Sequence, residues 1–326
     1  MPRNHIAYDE ADLAAIMRQM DGAVIRSDAD GIFLARELDY VKSRAYDVKY
    51  AELSGMRVIP RNQDVPNWAE TITYRMWDEV GMAKIIANYA DDLPRVDVFG
   101  KEFSSPVRTL GDAYGYNLQE IETSRALGRP LDAMKARAAR NMIDRKLNKI
   151  IWTGDEDFGL QGALTHPNIT HSPVAAGASG DTGWNTKTGM EMYTDVATAI
   201  QDIADNSQEM HQANRIILPA GKLRLLQTTF LAIEGGNAMT VFAALRQNFP
   251  NVTFDTAEEL RGAGAGGTDA MMVGEFNLDN MSHEFVQPFR QLPPQARNLE
   301  WVINCLSRTG GVVVRYPLAF EVKEGI

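Results

Sequence analysis

The chain has 326 residues, 44% of them hydrophobic and 23% charged, and a formal net charge of −10. Those proportions are ordinary for a folded soluble protein, and the acidic balance argues against a dedicated nucleic-acid binder, whose affinity would come from neutralising phosphates. No run reaches the roughly 18 consecutive apolar residues of a membrane span. The opening MPRNHIAYDEADL lacks the apolar core of a signal peptide, so a reducing cytosol is expected. The lone Cys305 cannot form an internal disulfide, and within the apolar run 301–306 it reads as a small buried side chain.

The length suits two compact domains, or one large domain with an insertion. Residues 1–66 read as an arm. A short helix is expected over 9–20 with Leu13, Ile16 and Met17 inward, and the apolar bursts after it are too few to close a core alone. From Trp68 the pattern changes. Residues 69–77 alternate with period two, as a half-exposed strand does, and the run 96–103, followed by 107–110, can return antiparallel to them. Between the runs lies an acidic connection with Asp78, Glu79, Asp91 and Asp92. A hairpin this long is marginal in water unless something covers it.

A short helix follows, with Asn117 as N-cap, Glu120 in capping-box position and Gly128 as stop; Leu118, Ile121 and Leu127 give it an apolar side. The longest helical period runs from Pro130 to Gly154. Leu131, Met134, Ala138, Met142, Ile143, Leu147, Ile150 and Ile151 form its apolar stripe. The same helix is basic: Lys135, Arg137, Arg140, Arg145, Lys146 and Lys149 stand against Asp132 and Asp144. Such a face is either solvated or paired with an acidic surface on a neighbouring copy. A nucleic-acid face ranks third, because interleaved aromatics are missing. Asp155, Glu156 and Asp157 then sit at the negative end of the helix dipole, where a neighbour's arginine could offset them.

Residues 173–187 are small and polar, like a surface linker. A second compact unit follows, with helices over 190–204, 222–230 and 238–249 and strands over 215–219, 252–255 and 270–276. That alternation suggests an α/β sheet covered by helices. The end of the chain, 299–322, is strand-rich, with a turn at Gly310-Gly311 and an edge or bulge at Pro317.

Site chemistry is weak throughout. The glycine-rich run 262–267 precedes a strand instead of opening a helix after one, so it reads as a mobile surface loop and not a phosphate cradle. His166 and His171 lack further ligands at metal spacing. No catalytic, cofactor-binding or metal residues are assigned.

The order of parts, carried by DAYGYNLQEIETSRALGRPLDAMKARAARNMIDRKLNKIIWTGDEDFGLQGALTHPNI and by RTGGVVVRYPLAFEV, resembles the major capsid proteins of tailed bacteriophages with the Hong Kong 97-type shell fold. The resemblance covers roughly residues 35–326. It implies an α+β capsid fold with an N-terminal arm (1–66), an extended β-hairpin loop lying over an adjacent subunit (67–116) and a peripheral domain with a long spine helix (117–175). An axial α/β domain (176–298) and C-terminal strands returning to the peripheral domain (299–326) complete it. The implied function is self-assembly into hexamers and pentamers of an icosahedral shell around double-stranded DNA, without sequence-specific binding. The implied partners are other copies, a scaffolding protein, a portal protein and, as a further candidate, a decoration protein. A separate scaffold is expected because the arm is too short to be a cleaved scaffolding domain. Lys84 and Lys101 match no cross-linking motif, so no covalent bond between subunits is expected. Candidate subunit contacts are Arg137, Arg140, Arg145 and Lys149 on the spine and Trp77, Asp91 and Asp92 in the loop. The alternatives are an encapsulin-like nanocompartment shell around a cargo enzyme and, from another class, a soluble α/β enzyme.

Overall fold

A computed structural model describes residues 53–80, 97–127, 131–231, 239–298 and 300–326. The helix expected over 9–20, the contact candidates Asp91 and Asp92, Lys84, Gly128 and Pro130 lie outside the described residues.

The first half contains α1 (Gly55–Val58), β1 (Arg61–Asn62), β2 (Thr71–Val80), β3 (Asp97–Pro106), β4 (Arg108–Asn117), α2 (Leu118–Leu127), α3 (Leu131–Thr153) and β5 (Thr170–Pro173). Then come α4 (Gly189–Asn206), β6 (Arg215–Leu218), α5 (Ala220–Thr228), β7 (Phe230–Leu231), β8 (Met239–Thr240), α6 (Val241–Asn248) and β9 (Thr253–Thr256). The last strands are β10 (Ala270–Gly274), β11 (Met281–Glu284), β12 (Gln287–Gln291), β13 (Gln295–Arg297), β14 (Glu300–Thr309), β15 (Val312–Val314) and β16 (Phe320–Glu324).

Helix α3 is 23 residues long, about 35 Å, and closes at Gly154, whose φ of 68° suits a residue without Cβ. Its buried seam is Ala139, Ile143, Leu147, Ile150, Ile151 and Trp152. The expected stripe is therefore correct only in its second half: Met134 and Met142 stay 50% and 48% exposed, and Ala138 is also exposed. The physical reason is the surface it meets. Small Ala139 lets the first half approach Cys305 and Phe285, so that residue, and not Ala138, sets the seam. Cys305 is buried, as expected, and burial raises its thiol pKa, with Asp112 adding to the effect.

A mixed five-stranded sheet runs β5-β16-β10-β6-β9. Helices α4, α5 and α6 cover one face, where Met192, Val196, Ile203, Leu226, Leu245, Met271 and Val273 share one core cluster. The other face carries Ile217, Met272, Phe320 and Val322 onto Ile151 and Trp152, so the end of α3 is built into the sheet's second core. Three expectations change here. The terminal strand β16, placed by sequence with the peripheral strands, lies inside this sheet, antiparallel to β10 and parallel to β5. Pro317 does not kink a continuous strand; it opens a 3-10 turn between β15 and β16. The 262–267 loop is held rather than free, because Gly262 N–H donates to Asp269 at 3.0 Å and Ala265 N–H to Glu324 at 2.9 Å.

The stretch 173–187 is not a bare linker either. Trp184 is 1% exposed, and its Nε1 donates to Asp195 at 2.8 Å. Lys187 Nζ reaches the same carboxylate at 2.5 Å and the Ala175 carbonyl at 2.6 Å. Immediately afterwards Thr188 and Glu191 form a capping box that starts α4. Removing one member of a buried ion pair leaves the other charge uncompensated. Asp195→Ala should therefore lower stability by about 3–5 kcal/mol in chemical unfolding, and a change below about 1 kcal/mol would contradict this placement.

A second sheet is centred on β14. Strand β4 pairs along all of it, from Arg108↔Thr309 to Asn117↔Glu300, while β12 and β13 share its other edge. The expected return of 107–110 along the hairpin therefore fails. Only Val107 keeps a bond to it, donating to Glu70 O at 2.8 Å, and the chain then crosses to β14. Gly310-Gly311 makes a turn between two sheets, since β14 pairs with β4 and β15 pairs with β11.

Candidate subunit interface

Strands β2 and β3 form an antiparallel hairpin registered from Thr71↔Pro106 to Val80↔Asp97. Its first strand therefore includes Asp78 and Glu79, which the sequence had assigned to the connection. Alternation divides its side chains between two faces. At the root one face is fixed. Tyr74 stacks on Phe103 with centroids 5.2 Å apart, its hydroxyl donates to Val314 O at 3.4 Å, and burial raises its pKa against the opposing pull of Arg315. Ser105 Oγ donates to Gly310 O at 3.0 Å, and Arg308 donates to the carbonyls of Asn67 and Ala69.

Farther out, nothing of the described chain covers the hairpin. Trp77 is 66% exposed, Val98 55% and Phe99 60%. Trp77 is opposite Gly100, and the indole lies so close over it that a Cβ there would fall within 2.8 Å of the ring. The glycine thus lays the indole flat and presents its outer side. Trp68, before β2, is 81% exposed. The contact candidates named from sequence include Trp77 but not Val98, Phe99 or Trp68, because alternation cannot say which face of a hairpin lacks a cover. Lys101 sits over the Phe103 ring at 4.9 Å.

The basic side of α3 is partly satisfied within the chain. Lys135 Nζ contacts Glu120 at 2.8 Å and Gly115 O at 2.7 Å, and this hydrogen bond holds the Glu120 carboxyl below its usual range. Glu120 also accepts from Asn117 N–H at 3.3 Å, the reach-back half of the expected capping box. Lys146 pairs with Asp155 at 2.6 Å. Within the acidic cluster beyond the helix, Asp155 is thus offset by the chain's own lysine, while Glu156 and Asp157 are exposed. Arg140 lies 3.7 Å from Asp144, whose pKa is raised by burial against the pull of Arg140. Arg137, Arg140 and Lys149 are exposed and Arg145 is half-buried. Arg137, Arg145 and Lys149 share a side of the helix with Met134, Ala138 and Met142 that is cationic and apolar together, and Arg140 stands beside Asp144 on its flank. The structure thus separates the candidates into two places, the hairpin with Trp77 and the outer face of α3.

A family model for the major capsid protein matches residues 81–326. The chain belongs to the major capsid protein family.

Solved structures agree on the fold. The capsid of Myoviridae phage XM1 is similar with a TM-score of 0.78 and 22% identity, over 91% of this chain and 99% of that one. The capsid of an empty GTA particle gives 0.62 and 13%, over 89% and 96%. Mycobacterium phage Ogopogo gives 0.57 and 13%, over 90% and 99%. A search of curated proteins finds no sequence match. The fold is the α+β Hong Kong 97-type capsid fold, and the capsid protein is a structural component of the virion shell. Among the described residues, no helix is long and apolar enough to cross a membrane.

Proposed function

We propose that this capsid protein is the repeating unit of a closed icosahedral shell, assembled as hexamers and pentamers around double-stranded DNA, with a mechanical role and no catalysis. The uncovered outer half of the hairpin carries this reading. A capsid chain with a rooted hairpin whose aromatic residues face water is incomplete alone, and another copy completes it. Residues 67–107 would be the loop that crosses to a neighbour, 117–175 with β14 the peripheral part, and the five-stranded sheet with its helices the axial part. Each copy both gives a hairpin and receives one, so modest contacts are multiplied by symmetry. The net charge of −10 suits a wall that must not hold the packaged DNA tightly. Scaffolding and portal proteins would direct assembly, and a decoration protein is a further candidate partner.

The mixed cationic and apolar face of α3 is the second proposed contact. Charge reversal at Arg137 and Arg140 should abolish particles seen by negative-stain microscopy while circular dichroism shows a folded subunit. Normal particles from that variant would assign the face to solvent.

A further inference from the structure

Strand β11 is polar yet wholly buried: Ser282, His283 and Glu284 are each 1% exposed or less. Every oxygen of the Glu284 carboxylate is engaged. Oε1 accepts from Ser282 at 2.7 Å and Arg315 at 3.1 Å, and Oε2 from Asn62 at 3.1 Å. His283 is different. Its Nε2 lies 3.0 Å from Thr309 Oγ1. That hydroxyl gives its own proton to Glu284 O at 3.2 Å and accepts from Gly311 N–H at 3.1 Å. Nε2 must then be the donor, so Nδ1 carries the lone pair. Nδ1 is buried and has no partner among the described residues.

A proton arriving at Nδ1 would find no acceptor and would add a charge beside Arg61. Strand β1 pairs Arg61 with His283 in parallel register, and the Arg61 guanidinium lies 3.9 Å from the centroid of the Phe285 ring. The charged group that acts on the imidazole is Arg61 from β1, while Glu284 of its own strand and Arg315 after β15 pair with each other on the opposite face of β11. Strand β14 offers the Thr309 hydroxyl, and β15 offers Val312 opposite His283. Glu284 is already claimed and Arg315 is cationic, so none of them would welcome an imidazolium. Consistently, burial first and Arg61 second hold the His283 pKa down to about 3.

What this site holds is slight. The backbone joins β1 to β11 through His283 N–H to Pro60 O at 2.8 Å and Phe285 N–H to Asn62 O at 2.9 Å. Upstream, α1 is secured separately, by Gly55 N–H to Asn148 Oδ1 at 2.7 Å and by Arg215 to Val58 O at 2.6 Å. Downstream, the chain enters the hairpin root at Asn67 and Ala69, where Arg308 grips it.

We propose that His283 is a proton-operated latch under the hairpin: neutral, it keeps the strap formed by β1 docked on β11, and protonated, it releases that strap and loosens the hairpin root. Opening separates the already exposed Arg61 from the imidazole and gives Nδ1–H a water acceptor, so a proton taken from solvent is the only reactant. The sign follows from the lowered pKa. The docked strap is fully stable above the free-histidine value of about 6.5 and loses stability as pH falls towards about 3. The latch stands on its own geometry; only its consequence for joining copies rests on the shell reading.

The test is site-resolved amide hydrogen exchange on the full chain, corrected for intrinsic rate. The His283 and Phe285 amides report the strap, and the Glu284 amide, which donates to Gly311 O at 2.9 Å, reports the opposite edge of β11. Protection at His283 and Phe285 should be on the order of 100-fold lower at pH 4.5 than at pH 7, while Glu284 keeps its protection. In His283→Gln the strap amides should lose this pH dependence. Equal protection at both pH values in the unaltered protein, or simultaneous loss at Glu284, would overturn the latch even if the variant does not fold. Failure to form particles would bear on the shell reading and not on this one.

Discussion

Glutamate at both Trp77 and Phe99 will leave a folded subunit that forms no particles. The register places Trp77 opposite Gly100 and Phe99 opposite Asp78, so the two aromatics project from different faces of the hairpin. Both are more than half exposed within the subunit, so their replacement removes little of its own packing. Burying the remaining area of each against a neighbour is worth about 2–3 kcal/mol by area, and a carboxylate there would be desolvated without a partner. A closed shell repeats that loss at every copy, so even a part of it prevents closure. The variant should melt within a few degrees of the parent by circular dichroism and show no shells by microscopy. Normal shells would mean that the outer hairpin faces solvent.

Trp152→Ala will destabilise the core by about 3–5 kcal/mol. Trp152 is fully buried, and its Nε1 donates to Ser54 Oγ at 3.0 Å, which in turn donates to Glu259 at 2.6 Å. Asn148 bonds the same Glu259 carboxylate. One indole therefore ties the end of α3 to the segment before α1 and to the 3-10 turn following β9. It also packs within the cluster that holds Ile217, Met272 and Phe320. Its loss opens a cavity and removes the donor to the buried Ser54 hydroxyl, which is left with Glu259 alone. Urea unfolding followed by the remaining tryptophans should show the shift; a change under about 1 kcal/mol would mean that the helix end is not a keystone of this core.

What the sequence revealed and what it hid divide along physical lines. The spine helix and the alternating α/β unit were legible because period and caps are local properties. Helix α3 ends at Thr153, just before the Gly154 that marks its stop in the sequence, and β6 ends at Leu218, one residue short of the expected Pro219. The half-wrong stripe on α3 arose because Met134 and Met142 are as apolar as the true seam, and only the partner surface at Cys305 and Phe285 decides between them. Strand β11 was invisible for the opposite reason: its residues are polar, and Ser282 with Glu284 and His283 with Thr309 are buried through bonds that no local pattern announces. The tie of Trp184 and Lys187 to Asp195 depends on a helix that begins after the apparent linker. The destination of β16 was likewise non-local, since pairing with β10 spans about fifty residues of sequence. On the hairpin, period two reads residues 69–77 as a half-exposed strand, but the exposure of Val98 and Phe99 is a fact about what fails to pack on them. Asp91 and Asp92 remain proposals resting on sequence, Arg137, Arg145 and Lys149 proposals resting on a side of α3 that mixes cations with methionines, and Arg140 one resting on its exposure.

The central claim is that this chain closes a shell with copies of itself. Its most direct test is cryo-electron microscopy, with light scattering, of the full chain produced together with its scaffolding protein. Closed icosahedral particles are expected, with the hairpin of each subunit lying on an adjacent one. A monomer or dimer as the final state, or particles whose hairpins contact only their own subunit, would contradict it.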